Sequence, residues 1–423
     1  NNLDSISIPQ NLCGDCQTPV TFVKKLGAPQ RRELAFSMCT SADGNVYVAG
    51  KQGNNPMIAK ITTQGEQIWV RNFPPINPNE PIEWAQIIED SDGKIVVCGT
   101  EGASPSNRRA IVMRYDPVAG AVLWYKRYQS DKPTGVAIVE KSPGGDFVLQ
   151  ANYQTVGSGG VSAQTQFFTL NRADGNTKGS SVGYQSQDNN IVISSTVLNN
   201  GKLYTVGSWV TKTNDKALPF FARVSPNTFF PEWAYLSIPD TSSGAARWMP
   251  PADVAFDGDI AIIAGSGHLN PLTPTENIFV YLQKHNPDGS LVWLKRYDME
   301  MVPEEVLALP NAYIVFGRMV GTNRFGMLKT DLQGNVLRAA VLEAAPTSPN
   351  SVGFVSRQGL LLRLPLQLLM LDHTWENTES DLVLLRTDLN FGLDDDCDLL
   401  QSVQVSSSTL SATTEPAQFG IGT

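Results

Sequence analysis

Seven times along the chain a turn leads into a short apolar strand: "ADGNVYVAG", "SDGKIVVCG", "PGGDFVLQA", "NNGKLYTVG", "FDGDIAIIAG", "PNAYIVFG" and "RQGLLLRLP". These end at Gly50, Gly99, Ala151, Gly207, Gly265, Gly317 and Pro365, in steps of 49, 52, 56, 58, 52 and 48 residues. A repeat near 50 residues is the tightest constraint on the fold, because each unit must be one supersecondary module that buries its faces against its neighbours. Downstream of each comes another apolar strand and a turn, as in "AIVMRYDPVAGAVLW" and "IFVYLQKHNPDGSLVW". A charged strand then follows, clearest in "VLWYKRYQS" (122–130) and "LVWLKRYDM" (291–299). Weaker echoes are "QIWVRNF", "FPEWAYLSI" and "VTFVKKLG".

Alternation of period two in these segments reads as strand. Leu291, Trp293, Lys295 and Tyr297 fall on one face, with Val292, Leu294 and Arg296 on the other. No amphipathic helix competes. The expected fold is all-β: a seven-bladed β-propeller with four antiparallel strands per blade. The seventh copy, "DLVLLRTDLNFG", lacks an outer strand, and "VTFVKKLG" near the start can supply it. The ring is therefore expected to close by pairing the N-terminal strand with blade seven. Expected boundaries are an N-terminal extension over 1–18, the propeller over 19–392, and a tail or linker to a following module over 393–423. Although 423 residues would ordinarily suggest several domains, a repeat array needs only one.

Charged residues make up only 17% of the chain, beside 35 Gly and 27 Pro, which suits turn-rich β structure. The net charge of -9 disfavours binding to phosphate backbones, so nucleic acid is not an expected partner. The most apolar stretch, "GLLLRLPLQLLMLDH", is short and broken by Arg363, Pro365 and Gln367, so the chain is not expected to span a membrane. The opening "NNLDS" carries neither Met nor a signal core and reads as a processed product.

Cys13 and Cys16 form a C-x-x-C before the first strand, and Cys397 follows the last. In a secreted protein a disulfide clasp is expected, Cys13 or Cys16 with Cys397, or Cys13 with Cys16. Zinc would want a second ligand pair, and no metal is expected. Cys39 and Cys98 lie in apolar patterns and read as buried free thiols. The run "LDDDCD" lacks the spacing of a Ca²⁺ loop and reads as a solvated turn.

The repeat seen in "SDGKIVVCGT", "GMLKTDLQGN" and "GSLVWLKRYD" resembles the propeller repeats of large secreted and cell-surface proteins of the Bacteroidota. That resemblance covers roughly residues 19 to 420 and implies type IX export and a role as adhesin, scaffold or assembly part. The expected partners are protein or glycan, or the neighbours within a larger surface assembly, and no cofactor is expected.

The alternative is an extracytoplasmic propeller enzyme. "DPVAGAVLWYKRY" resembles a quinoprotein dehydrogenase blade, but the adjacent-cysteine pair of those enzymes is missing. The glycan-cleaving form of this alternative finds no arginine triad, and "NPDGSLVW" spaces its Trp one residue too far from Gly for a sialidase Asp box. His268, His285 and His373 are scattered, so no general base or metal cluster is visible. The noncatalytic reading is preferred.

Short turns join first to second and third to fourth strands, whereas the other connections are long, which places the long ones at one end of the blades. Candidate partner-binding residues there are Arg108, Arg109, Trp209, Arg247, Trp248, His268, Arg324, Met370, His373 and Trp375, since Trp and Arg dominate interaction hot spots. Trp84 and Trp248 start first strands and can instead pack between blades.

Overall fold

The structure of the protein is a computed structural model. It describes residues 4–6, 22–27, 33–74, 79–102, 108–128, 133–157, 160–185, 189–211, 217–239, 247–268, 278–322, 324–342, 360–364, 367–376, 379–388, 400–410, 412–417 and 420–422. Every regular element among them is a strand. The first two are β1 (Asp4–Ile6) and β2 (Phe22–Gly27).

Six blades of four consecutive strands follow. Blade one is β3 (Glu33–Thr40), β4 (Val46–Gln52), β5 (Asn55–Ile61) and β6 (Gln67–Asn72). Blade two is β7 (Ile82–Glu89), β8 (Ile95–Glu101), β9 (Arg109–Asp116) and β10 (Ala121–Tyr128). Blade three is β11 (Pro133–Glu140), β12 (Phe147–Gly157), β13 (Gly160–Leu170) and β14 (Thr177–Gln185). Blade four is β15 (Asn189–Asn199), β16 (Lys202–Thr211), β17 (Ala217–Val224) and β18 (Pro231–Pro239). Blade five is β19 (Arg247–Asp257), β20 (Ile260–His268), β21 (Ile278–His285) and β22 (Leu291–Tyr297). Blade six is β23 (Met301–Leu309), β24 (Ala312–Met319), β25 (Phe325–Thr330) and β26 (Val336–Leu342).

The chain then forms β27 (Leu360–Leu364), β28 (Gln367–Glu376) and β29 (Glu379–Asp388). It ends in four short strands, β30 (Leu400–Ser402), β31 (Ser407–Thr409), β32 (Ala412–Pro416) and β33 (Gly420–Gly422).

This arrangement corrects the expectation of a closed ring of seven four-stranded blades. Among the described residues six blades have four consecutive strands, and these do not form a closed ring. The remaining sheet is a composite in the order β1-β2-β29-β28-β27, with Phe22 opposite Arg386 and Leu26 opposite Leu382. The expected pairing of the N-terminal strand with the last copy is present as β2 against β29, and β1 adds a further strand beyond it. Five sheets also hold five strands rather than four.

The chain divides into two compact units. One contains Asn1–Ser130 and Ala340–Ser402, and the other Asp131–Ala339 and Val403–Thr423. Within the first, a core between blades one and two gathers Leu34, Tyr47, Ile58, Trp84, Ile111 and Met113. Within the second, Phe167, Tyr184, Ile191, Phe220 and Phe229 pack between blades three and four, and Tyr204, Phe221, Val254 and Ile263 between four and five. Second strands such as β4 and β8 are buried on both faces, which is why they read as unbroken apolar runs. On the outer strand β22 the alternation has a use on each side. Leu294 packs with Phe279 and Tyr281, whereas Tyr297 donates its hydroxyl to Gly334 O of blade six at 2.8 Å.

The glycines that mark the repeat follow from a bulge in every first strand, at Ala35/Ser37, Trp84/Gln86, Pro133/Gly135, Ile193/Ser195, Pro251/Asp253 and Pro303/Glu305. In blades one, two, four and six the bulge presses a main-chain carbonyl onto the second strand. A Cβ on Gly50 would stand 2.0 Å from Leu34 O, and one on Gly99 2.2 Å from Glu83 O. Blade three carries its bulge opposite Asn152 and Tyr153, away from Ala151, so alanine fits there.

Candidate functional site

In an antiparallel sheet, the turn after the second strand and the link to the next blade leave from the same end. Arg108 and Arg109 lie at that end of blade two. Arg108 is half-buried and 3.6 Å from the Glu83 carboxylate, while Arg109 is exposed and opposite Glu101. Glu101 is buried and held by the Arg127 guanidinium at 2.5 Å. Tyr125 beside this pair is pushed well above its ordinary range, first by burial and then by the Glu101 charge.

The other candidates are spread over both units. Trp209 is buried in the core between blades three and four, and Trp84 in that between blades one and two. Arg247 begins β19 opposite His268, and Trp248 lies opposite Gly267, so these three share one strand end; His268 is buried. Arg324 is exposed before β25. Met370 sits mid-strand in β28 between Leu361 and Leu385. His373 is opposite Leu382, and Trp375 opposite Ser380 near the tip of the β28–β29 hairpin. Arg108, Arg109, Met370, His373 and Trp375 belong to the first unit, and Trp209, Arg247, Trp248, His268 and Arg324 to the second. Cys13, Cys16 and Cys397 lie outside the described residues.

Sequence reasoning missed a polar layer along the first strands. Half-buried Asp253 on β19 accepts from Ser195 Oγ of blade four at 2.7 Å and from Val306 N of blade six at 3.1 Å. Burial raises its pKa above the usual carboxylate value, and the hydrogen bonds from Ser195 and Val306 oppose that shift. Ser37 Oγ accepts from Ile87 N at 3.1 Å, tying blade one to blade two. Asn152 Nδ2 donates to Ile193 O at 2.7 Å, and Thr165 and Thr196 complete that buried set with Gln150. The available signal was a polar residue directly after five of the six bulges: Ser37, Gln86, Ser195, Asp253 and Glu305.

Three further titratable side chains among the described residues are suppressed by burial. His285 is fully buried, its pKa lowered to about 4 by desolvation, with Nδ1 3.0 Å from Gly289 O. Burial pushes the thiols of Cys39 and Cys98 up to about 12, so neither is a nucleophile at neutral pH, and neither forms a disulfide. Among the described residues no three His, Cys, Asp or Glu side chains converge to hold a metal. Nor is any helix there long and apolar enough to cross a membrane.

Sheets and site together define an all-β protein with a β-propeller arrangement, whose blades are stapled through their first strands and whose loop ends carry exposed arginines. No protein-family profile matches the chain, and no curated protein does. Among solved structures it is similar to the polysaccharide lyase Uly1, with a TM-score of 0.48 and 11% identity over 91% of this chain and 96% of that one. It is also similar to the C-terminal WD40 domain of Sif2, with a TM-score of 0.45 and 10% identity over 91% and 95%. A protein of unknown function from Bacteroides caccae gives a TM-score of 0.37 and 11% identity over 64% and 84%. A lyase and a WD40 domain thus stand side by side, and at these values none of the three assigns an activity.

Proposed function

We propose that the chain is a noncatalytic binding or scaffold module, secreted or at the cell surface, which engages protein or glycan through the loop-bearing ends of its blades. The observation that carries this reading is how its interior polar groups are used. Asp253, a half-buried carboxylate between blades, spends both oxygens on neighbouring blades. Exposed Arg109 and Arg324 and half-buried Arg108 lie instead at the loop ends, where a partner can reach them. The proposed setting, export by a bacterium of the Bacteroidota through the type IX route, rests on the repeat resemblance. A clasp joining Cys397 to Cys13 or Cys16 belongs to the same proposal.

The test is a glycan array together with a pull-down from a cell-surface fraction, using the wild type, Arg108→Glu/Arg109→Glu and Arg324→Glu. Capture weakened tenfold or more by either set, with unchanged melting, supports the loop-end site. Turnover of a polysaccharide by the wild type would overturn the noncatalytic reading.

A further inference from the structure

The end of the chain adds a fifth strand to four successive blades. β30 pairs with β26, β31 with β22, β32 with β18 and β33 with β14, all antiparallel. In blade five, Lys295, Arg296 and Tyr297 lie opposite Thr409, Ser408 and Ser407. Leu410 N donates to Leu294 O, and Asp298 N to Ser406 O, each at 3.0 Å. The backbone groups of 294, 296 and 298 therefore face the tail. The pairing strand is a run of exposed hydroxyl side chains, with Leu410 beyond it packed against the Phe279, Tyr281 and Leu294 cluster.

Blade two repeats this edge. Trp124-Tyr125-Lys126-Arg127-Tyr128 matches Trp293-Leu294-Lys295-Arg296-Tyr297, and each Trp faces a basic residue on its inner neighbour, Arg114 or Lys284. Among the described residues no strand lies on the outer side of β10. The main-chain groups of Tyr125 and Arg127 are the counterparts of those that hold the tail on blade five. Val122 and Leu123, just upstream, are about half exposed at 46% and 45%. Blade one differs, because the carbonyl of Val70, the counterpart of Leu294, already accepts from the Arg71 guanidinium at 3.1 Å.

We propose that the outer edge of β10 is a strand-addition site for an extended, Ser/Thr-rich segment of a partner polypeptide. That segment runs antiparallel, with small hydroxyl residues opposite Lys126–Tyr128 and an aliphatic residue opposite Tyr125, next to Val122 and Leu123. Main-chain hydrogen bonds supply the affinity, and the aliphatic residue sets the register. The site rests on the edge alone and is independent of the loop-end reading.

The probe is a fluorescent peptide with the sequence of residues 403–412, titrated into the full chain. Saturable binding is expected, weakened at least tenfold when the amides matching Ser408 and Leu410 are N-methylated. Amide exchange at Tyr125 and Arg127 should be fast in the free protein and slowed at least tenfold by the peptide, with Arg296 protected throughout. Absence of saturable binding, indifference to N-methylation, or protection elsewhere than Tyr125 and Arg127 overturns the proposal. So does a concentration-dependent dimer abolished by deleting 403–423, which would give the edge to a second copy of the chain.

Discussion

Gly317 lies beneath the main-chain carbonyl of Val302, so close that a Cβ on it would stand 2.3 Å from that oxygen. The same clash recurs between Gly207 and Val192 O at 2.0 Å. Backbone cannot swing aside as a flexible side chain can, so Gly99→Ala or Gly317→Ala is expected to cost about 2–4 kcal/mol in urea unfolding. Ala151→Gly, where the bulge is displaced, should cost only about 0.5–1 kcal/mol through backbone entropy. Equal costs at the two kinds of position would contradict the bulge as the reason for the repeat.

That bulge explains much of why the strand repeat was legible in the sequence: in four of the six blades it imprints a glycine, and the doubly covered second strand next to it must be apolar. The composite sheet was legible in part, because the missing outer strand of the last copy pointed to "VTFVKKLG", whereas nothing local records that β1 joins beyond it. The tail strands were invisible as strands. "VSSSTLSATTEP" pairs mainly through its backbone, so it shows no apolar alternation. Trp209 borders a long loop in sequence and was counted with the loop, although its ring belongs to the core. Asp253 falls in "PPADVAFDGD", where only the bulge shows that its carboxylate lies between blades.

Asp253 offers a test of structural against catalytic use. Its pKa is raised by burial, so this group's stabilising contribution is present below the ordinary carboxylate value and fades as pH rises through the folded one. Asp253→Asn can still accept from Val306 N while its amide donates to Ser195 Oγ, so it is expected to stay within about 1 kcal/mol of wild type at pH 7. Asp253→Ala strands both donors and should cost about 2–4 kcal/mol. Chemical denaturation of the two variants decides this, and an equal loss in both would refute the hydrogen-bond account.

His285 makes stability acid-sensitive. Its folded pKa of about 4 lies below the unfolded 6.5, so the unfolded chain binds the extra proton between those values and stability falls as pH drops through that window. The full effect is about 3 kcal/mol once pH is below both values. Nδ1 of His285 faces Gly289 O and Nε2 faces Gln283 Oε1, each at 3.0 Å, and a neutral ring can donate to only one of these two oxygens. His285→Gln should flatten the melting profile between pH 6.5 and 4; an unaltered slope would assign the acid sensitivity to other groups.

The thiols give a quick count of native chemistry. With Cys39 and Cys98 pushed up to about 12 by burial, iodoacetamide at pH 8 should modify neither until urea unfolds the chain. Mapping the remaining cysteines under nonreducing conditions then tests the clasp, since native alkylation of Cys397 would remove it.

Deleting residues 400–423 should expose the outer edges of β14, β18, β22 and β26 together. Each edge loses a short ladder whose bonds contribute roughly 0.5–1.5 kcal/mol apiece, among them Val403 N to Ala339 O and Ala417 N to Ala234 O. Uncovered edges are also templates for pairing with other chains, so the truncated protein is expected to melt several degrees lower and to self-associate in light scattering. Leu410→Ser separates packing from pairing. It removes the contact with Phe279, Tyr281 and Leu294 but keeps the ladder, so it should lower stability by about 1–2 kcal/mol without promoting association. A truncated chain that stays monomeric with an unchanged melting point would show that the tail strands contribute nothing to the blades they cover.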